Sequence, residues 1–310
     1  MRKRSMPELP EVETVRRGLE PVLVGACIVR VEARRPDLRF PLPERFSERL
    51  AGVRVTGLER RAKYLIAGLS SGEALVMHLG MTGRFTVAYG AGDDRSARNN
   101  TGAQLSTPGA YVYDTNSDAR HDHVVFHLSG GARVVYNDPR RFGFMLMMAE
   151  AERLDHALFR NLGSEPLGET LTPAYLAKRA WGKKVNLKAF LMDQRIVAGL
   201  GNIYVSEALY RAGLSPNRAA ATLADRRGGA TDRAHRLVPA IRSVLEQAIA
   251  AGGSTLRDYR DAEGRSGAFQ ESFAVYDRAQ SPCERKGCGG TIKRIVHSGR
   301  ATFYCSKCQR

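Results

Sequence analysis

Between about residues 22 and 148 the apolar positions come in short β-branched and aromatic runs. Cys27–Val31, His123–His127 and Arg133–Tyr136 are examples, each set off by Gly-rich or Asp/Asn-rich turns. This pattern predicts a mostly antiparallel sheet domain. From about 152 to 251 the period changes. Val238, Ile241, Val244, Leu245, Ala248 and Ile249 recur at helical spacing before Gly252-Gly253, so a helical domain follows the sheet. One helix precedes it: Val12, Val15 and Leu19 share a face, Pro10 suits the first turn, Glu11 and Glu13 oppose the positive helix end, and Pro21 is expected to end it. Residues 86 to 119 are rich in Gly, Ala, Asn, Asp and Ser without sustained periodicity. They read as a long, partly disordered surface loop inserted in the sheet domain, with no chemistry expected in it.

The cysteines set the tail apart. Cys27 is alone, while Cys283, Cys288, Cys305 and Cys308 lie within the last 28 residues. The spacing Cys-x4-Cys, sixteen residues, Cys-x2-Cys lets two turns each present two thiolates and close a tetrahedron around one structural zinc ion. Two disulfides are the weaker reading, since a reducing cytoplasm is expected from the absence of a signal-peptide pattern after Met1-Arg2-Lys3-Arg4. Between the pairs, Thr291–Val296 and Ala301–Tyr304 look like two strands joined at His297–Arg300, a hairpin that exposes Arg300 at its tip. His297 is read as a turn residue, because four cysteines already fill the site.

Charge then suggests the partner. Lys plus Arg number 48 against 32 Asp plus Glu, a net +16, and the last 28 residues hold seven basic side chains and one Glu. Such a surface fits a polyanion. Mean hydropathy is −0.33 and no apolar run approaches the ~18 residues of a membrane span, so no membrane partner is expected. Ala198–Leu209 places two glycines and Asn202 just before a helix that Gly213 should end. Asn202 reads as an N-cap, and with Lys183, Lys184 and Lys188 upstream this helix start reads as a phosphate site.

Six segments taken together carry a resemblance. Pro7-Glu8-Leu9-Pro10-Glu11-Val12-Glu13-Thr14-Val15, Arg60-Arg61-Ala62-Lys63-Tyr64-Leu65, His78-Leu79-Gly80-Met81-Thr82-Gly83, Asp138-Pro139-Arg140-Arg141-Phe142-Gly143, Gly199–Tyr204 and the four-cysteine tail occur in order over nearly the whole chain. They resemble the bacterial formamidopyrimidine-DNA glycosylases, which remove 8-oxoguanine and ring-opened purines from DNA. The resemblance implies an α+β, two-lobed molecule: an N-terminal β-sandwich with flanking helices, then a helix-two-turn-helix domain and a zinc-ribbon finger, with damaged duplex DNA between the lobes. The boundaries expected are 7–150, 151–275 and 276–310.

It also implies roles. Pro7 matches the N-terminal proline whose secondary amine attacks C1′ and forms a Schiff base. An α-amino group with a pKa of about 7.7 to 8.0 is roughly 20 to 30% unprotonated at about pH 7.4, whereas an ordinary lysine is about 0.1%. Glu8 matches the acid that protonates the opening sugar, Lys63 a cleft lysine linked to β-elimination, and Arg300 a finger-tip arginine linked to δ-elimination. Met81, Arg140 and Phe142 match the side chains that fill the void left by the extruded base, with Arg140 reading the orphaned cytosine. His121, Arg141, Asn202 and one of Lys183 and Lys184 match phosphate contacts, and residues from 252 to 267 a loop that closes over the extruded base. The expected activity is a bifunctional glycosylase/AP lyase of base excision repair, acting as a monomer in the cytoplasm.

Two departures bear on this. The 86–119 insertion lies between motifs, and five residues precede Met6. Pro7 within a longer chain is a tertiary amide without a nucleophilic lone pair, so translation from Met6 and removal of that methionine are expected. An endonuclease VIII-like glycosylase for oxidised pyrimidines and a noncatalytic zinc-ribbon DNA-binding protein remain open as alternatives.

Overall fold

The computed structural model describes residues 6–89, 104–106, 118–254 and 269–310. They fall into two compact units. The first takes the chain up to residue 160 together with 252–254, and the second takes 161–251 and 269–310.

In the first unit, helix α1 (Leu9–Leu23) buries Val12, Val15, Leu19 and Leu23 at spacings of three and four and packs this stripe on the sheet. Contrary to the sequence reading, Pro21 does not end α1 but sits inside its last turn. The buried pair Leu19 and Leu23, one turn apart, holds that turn in place despite the missing Pro21 N–H. The strands are β1 (Cys27–Ala33), β2 (Val53–Arg61), β3 (Tyr64–Leu69), β4 (Glu73–His78), β5 (Arg84–Tyr89), β6 (Gln104–Ser106), β7 (Asp122–Leu128), β8 (Ala132–Asn137) and β9 (Phe144–Ala149). A short helix α2 (Phe46–Leu50) lies between the first two.

The strand order is β6-β5-β8-β7-β1-β2-β3-β4-β9, and all neighbours are antiparallel. Strands β4 and β5 are six places apart in that order, which in a flat sheet would separate them by about 29 Å. The step from His78 to Arg84 spans at most about 21 Å. The sheet therefore folds over on itself as a sandwich, and its two ends approach where residues 79–83 and 138–143 cross between layers. The core drawn from Leu65, Leu75, Phe85, Val134, Tyr136 and Met145 fills the inside.

The expected 86–119 loop is corrected in part. Residues 86–89 continue β5, which pairs along β8 with Val87 opposite Val134, and 104–106 form β6 at the sheet edge. The inward alternation of Phe85 and Val87 runs on past the boundary read from composition. Asp118 and Ala119 open a 3-10 turn, and 90–103 and 107–117 lie outside the described residues.

The second unit holds α3 (Pro173–Ala180), α4 (Leu187–Met192), α5 (Asn202–Ala212), α6 (Asp232–Ala250) and the hairpin β10 (Ile292–His297) and β11 (Arg300–Cys305). Thr172 caps α3 and Asn186 caps α4, each accepting a first-turn N–H. Gly213 ends α5 in the left-handed conformation, as its position in the sequence predicts. The periodic residues of α6 pack against Ile203, Tyr204, Ala208 and Leu209 of α5 to form the core. A smaller cluster of Tyr210, Val275, Ile292 and Phe303 joins the hairpin to α5.

Candidate active site

Pro7 and Glu8 stand at the head of α1. Both are buried, Glu8 to 3% exposure, and Glu8 is the N-cap. Glu11 closes a capping box, its Oε2 accepting the Glu8 backbone N–H at 2.9 Å. The other oxygen of Glu11 accepts the backbone N–H and the hydroxyl of Ser254, both at 2.8 Å. Glu11 thus does more than oppose the helix dipole: it fixes the backbone beside Glu8 and ties it to the root of the segment after α6. The sequence carries no sign of this, because the partner is 243 residues away.

Glu13, also expected to be a simple first-turn acid, is the centre of a cation cluster. It accepts from Arg16, Arg17 and Arg60 at 3.0–3.2 Å. Burial pushes the Glu13 carboxyl up, but the hydrogen bonds from Arg16 and Arg17 and the charges of Arg16 and Arg60 outweigh it and hold the group below its usual range. Arg60 also donates to the carbonyl of Ala62 at 3.1 Å. Ala62 has φ of +53° and, with Lys63, makes the two-residue turn between β2 and β3. The chain Glu13, Arg60, Ala62 therefore couples α1 to the turn that presents Lys63.

Across the sheet from that turn lies His78, paired with Tyr64 on one side and Phe144 on the other. Its ring stacks on Phe144 at 5.2 Å and 9°, and Nδ1 accepts the Gly80 N–H at 3.0 Å. Burial, then the charges of Lys63 and Arg39, lower its pKa to about 4. The ring is neutral near pH 7 and, with Nδ1 accepting, carries its proton on Nε2 as a donor. Nothing in the sequence around His78 marks this role.

Met81, Arg140 and Phe142, expected to fill the void left by an extruded base, sit on the two crossing loops. Met81 is half-buried, while Arg140 and Phe142 are exposed with the guanidinium 4.5 Å over the Phe142 ring. The loops touch through backbone: a Cβ on Gly80 would lie 2.3 Å from Gly143 N, so only glycine permits the approach. His121 ends a 3-10 turn beside this region, half-buried. Arg141 is exposed, with φ of +54° and an ion pair to Asp37 at 3.5 Å.

In the second unit the structure revises two readings. Asn202 is not the N-cap of α5; Gly201 is, with extended backbone, and the Asn202 side chain instead directs Nδ2 to Tyr276 Oη at 3.4 Å. Among the described residues the Asn202 Oδ1 atom is buried and finds no hydrogen-bond partner. The turn before it is held by Gln194, which accepts from Gly199 N and donates to Leu200 O, both at 2.8 Å. Lys188 does not face phosphate: it is 1% exposed, and Nζ donates to Ala301 O at 2.8 Å and Thr302 Oγ1 at 2.7 Å. A buried ammonium is tolerated only when so satisfied. Lys183 and Lys184 are exposed. Glu207, fully buried, accepts the N–H groups of Ala274, Val275 and Tyr276 at 2.8–3.0 Å; burial raises its carboxyl against the pull of those bonds. It thereby sets Tyr276 beside Asn202.

Ser298 and Gly299, with φ of 47° and 75°, make the tight hairpin turn, and Arg300 follows it, exposed. His297 is no ligand: its nitrogens contact Thr302 Oγ1 and Asn217 Oδ1. The four cysteine Sγ atoms lie within 4.8 Å of one another, with Cys283 and Cys308 at 3.8 Å and Cys288 and Cys305 at 3.6 Å. A tetrahedron with Zn–S bonds of about 2.3 Å has edges of about 3.8 Å, so the set fits one zinc ion, and none of these distances is a disulfide.

Comparison with known proteins decides what these parts belong to. Residues 6–145 match the model of the formamidopyrimidine-DNA glycosylase N-terminal domain, 162–260 that of its H2TH domain, and 280–310 that of the zinc finger found in FPG and IleRS. The chain belongs to the formamidopyrimidine-DNA glycosylase family. Enzymes of that name from Beijerinckia indica and Rhodopseudomonas palustris strain HaA2 are 58% and 57% identical, covering 98% of this chain and all of theirs. Solved glycosylases of the family from Lactococcus lactis, one bound to abasic-site DNA and a variant bound to Fapy-dG DNA, are 31% identical. Each covers 98% of this chain and all of theirs with a TM-score of 0.78. Membership places the zinc ion in the cysteine site and bears out the α+β fold with its sheet domain, helical domain and finger. It does not favour the endonuclease VIII-like and noncatalytic readings. Among the described residues no helix is long and apolar enough to cross a membrane.

Proposed function

We propose that this member of the family excises oxidised purines through the secondary amine of Pro7. The chain is a DNA glycosylase and AP lyase of base excision repair acting on oxidised purines. What supports Pro7 and Glu8 as the reacting pair is their burial side by side at a helix start where Glu11 accepts the Glu8 N–H with one oxygen and both donors of Ser254 with the other.

In the reaction, the Pro7 nitrogen attacks C1′, the bond from C1′ to the base breaks, and the base leaves with that electron pair and takes up a proton. The amine gives up its own proton and the sugar ring opens, O4′ receiving a proton from Glu8. The product is a cationic iminium at C1′. That iminium withdraws electrons from C2′, so loss of a C2′ proton expels the 3′ phosphate, and a further elimination releases the 5′ phosphate. Lys63 and Arg300 serve these steps by holding phosphate and proton positions. Met81, Arg140 and Phe142 fill the duplex behind the everted base, and His121, Arg141, Asn202 and one of Lys183 and Lys184 hold the backbone. The zinc ion keeps the finger hairpin in shape. The enzyme works as a monomer in the cytoplasm, with catalytic residues 7–150, helical residues 151–275 and finger residues 276–310 as its parts.

A strand-nicking assay on duplexes with 8-oxoguanine opposite C, 8-oxoguanine opposite A, and thymine glycol tests this. Fastest cleavage opposite C is expected, and preference for thymine glycol contradicts it.

A further inference from the structure

One buried side chain joins the two loops that carry Met81, Arg140 and Phe142. Asp138 is 0% exposed and opens the loop carrying Arg140 and Phe142. Its Oδ1 accepts from the Thr82 hydroxyl, next to Met81, and from Arg140 N at 3.3 Å; its Oδ2 accepts from Gly143 N at 2.9 Å and the Tyr136 hydroxyl at 3.2 Å. The Thr82 oxygen also accepts Arg140 N at 3.2 Å, so the two loops are cross-linked directly as well. The backbone of Asp138 completes the junction: its N–H donates to His121 O at 3.0 Å, and its carbonyl lies 2.9 Å from His123 Nε2.

We propose that Asp138 is a positioning residue that makes the wedge a single preformed unit. Met81, on one loop, and Arg140 and Phe142, on the other, then enter the duplex together, in register with His121. The proposal rests on the wedge reading above. Separate loops would each have to be ordered as the base leaves the stack, at the entropic cost of fixing several residues. A carboxylate satisfied by four donors, in contact with loops that touch at Gly80 and Gly143, meets that cost when the protein folds.

The test uses Thr82→Val, which keeps the shape and removes the hydroxyl that bridges Asp138 to Arg140, with Thr82→Ser as the conservative partner and Asp138→Asn alongside. Two reactions are compared under single turnover: excision of 8-oxoguanine opposite C in a duplex, and cleavage at a preformed abasic site in single-stranded DNA, where no stack must be opened. Excision slowed by about tenfold in Thr82→Val, abasic-site cleavage within about twofold of wild type, and recovery in Thr82→Ser support the proposal. Unchanged excision in Thr82→Val overturns it, as does an equal fall on both substrates, which would mark a merely structural role. Should Asp138→Asn fail to fold, the threonine pair decides alone. Met81→Ala is the control: wild-type excision there would remove the wedge reading itself, whatever the threonine variants do.

Discussion

Oε1 of Glu11 accepts two hydrogen bonds from Ser254 at 2.8 Å, joining the first turn of α1 to the root of the segment at 252–254. A carboxylate that receives donors from both sides is not replaced by its amide without loss. In Glu11→Gln one donor, either Glu8 N–H or Ser254, must face an NH2 group. We expect a loss of about 1–3 kcal/mol of stability and about a tenfold slower excision. Ser254→Ala, which removes one of the bonds, should cost less. Thermal melting and single-turnover kinetics measure both.

Lys188 and the pair Lys183 and Lys184 should part company in salt. Lys188→Met leaves Ala301 O and Thr302 Oγ1 without their buried donor, so it should destabilise the second unit and weaken DNA binding at every ionic strength. Lys183→Ala or Lys184→Ala should instead lower the slope of log affinity against log salt, by about one for whichever contacts phosphate. Titrations at four salt concentrations separate the two behaviours. A reduced slope in Lys188→Met would mean that its ammonium meets DNA.

His78 makes stability depend on pH with a definite sign. Its pKa of about 4 in the folded protein lies below the ordinary 6.5, so the unfolded chain binds the extra proton between those values. The stabilisation from the neutral ring is complete above pH 6.5 and is lost as pH falls from 6.5 towards 4, by at most about 1.4 kcal/mol per pH unit. Urea unfolding at pH 7, 5.5 and 4.5 should show a flatter profile for His78→Asn than for wild type.

Zinc removal should act locally. Chelation frees four thiolates whose spacing the ion fixes, so the finger hairpin should loosen and tight DNA binding should be lost. The sheet of the first unit, with a core that includes no residue of the finger, should remain folded. Circular dichroism and DNA binding, followed together during chelation, check this; collapse of the sheet signal would contradict the division into units.

The sequence was most informative where a local rule sets the structure. The β-branched and aromatic run His123–His127 marked β7, the stripe of Val12, Val15 and Leu19 marked α1, and the spacing of Cys283, Cys288, Cys305 and Cys308 marked a metal site. It failed where distant partners override local preference. Asn202 is a good capping residue by type, yet Gly201 takes the cap and the Asn202 side chain turns toward Tyr276. Lys188 looks like a phosphate ligand until the backbone of β11 closes over it. Glu11, Glu207 and Asp138 bind groups from loops far along the chain or from crossing strands, and no periodicity announces such a bond.

The central claim concerns one nitrogen. Active protein is reacted with a duplex bearing 8-oxoguanine opposite C in the presence of borohydride, and the trapped complex is digested and sequenced by mass spectrometry. Deoxyribose is expected on Pro7, with that residue as the chain terminus. An adduct on Lys63 or another lysine, or trapping by a chain that still begins before Pro7, contradicts it.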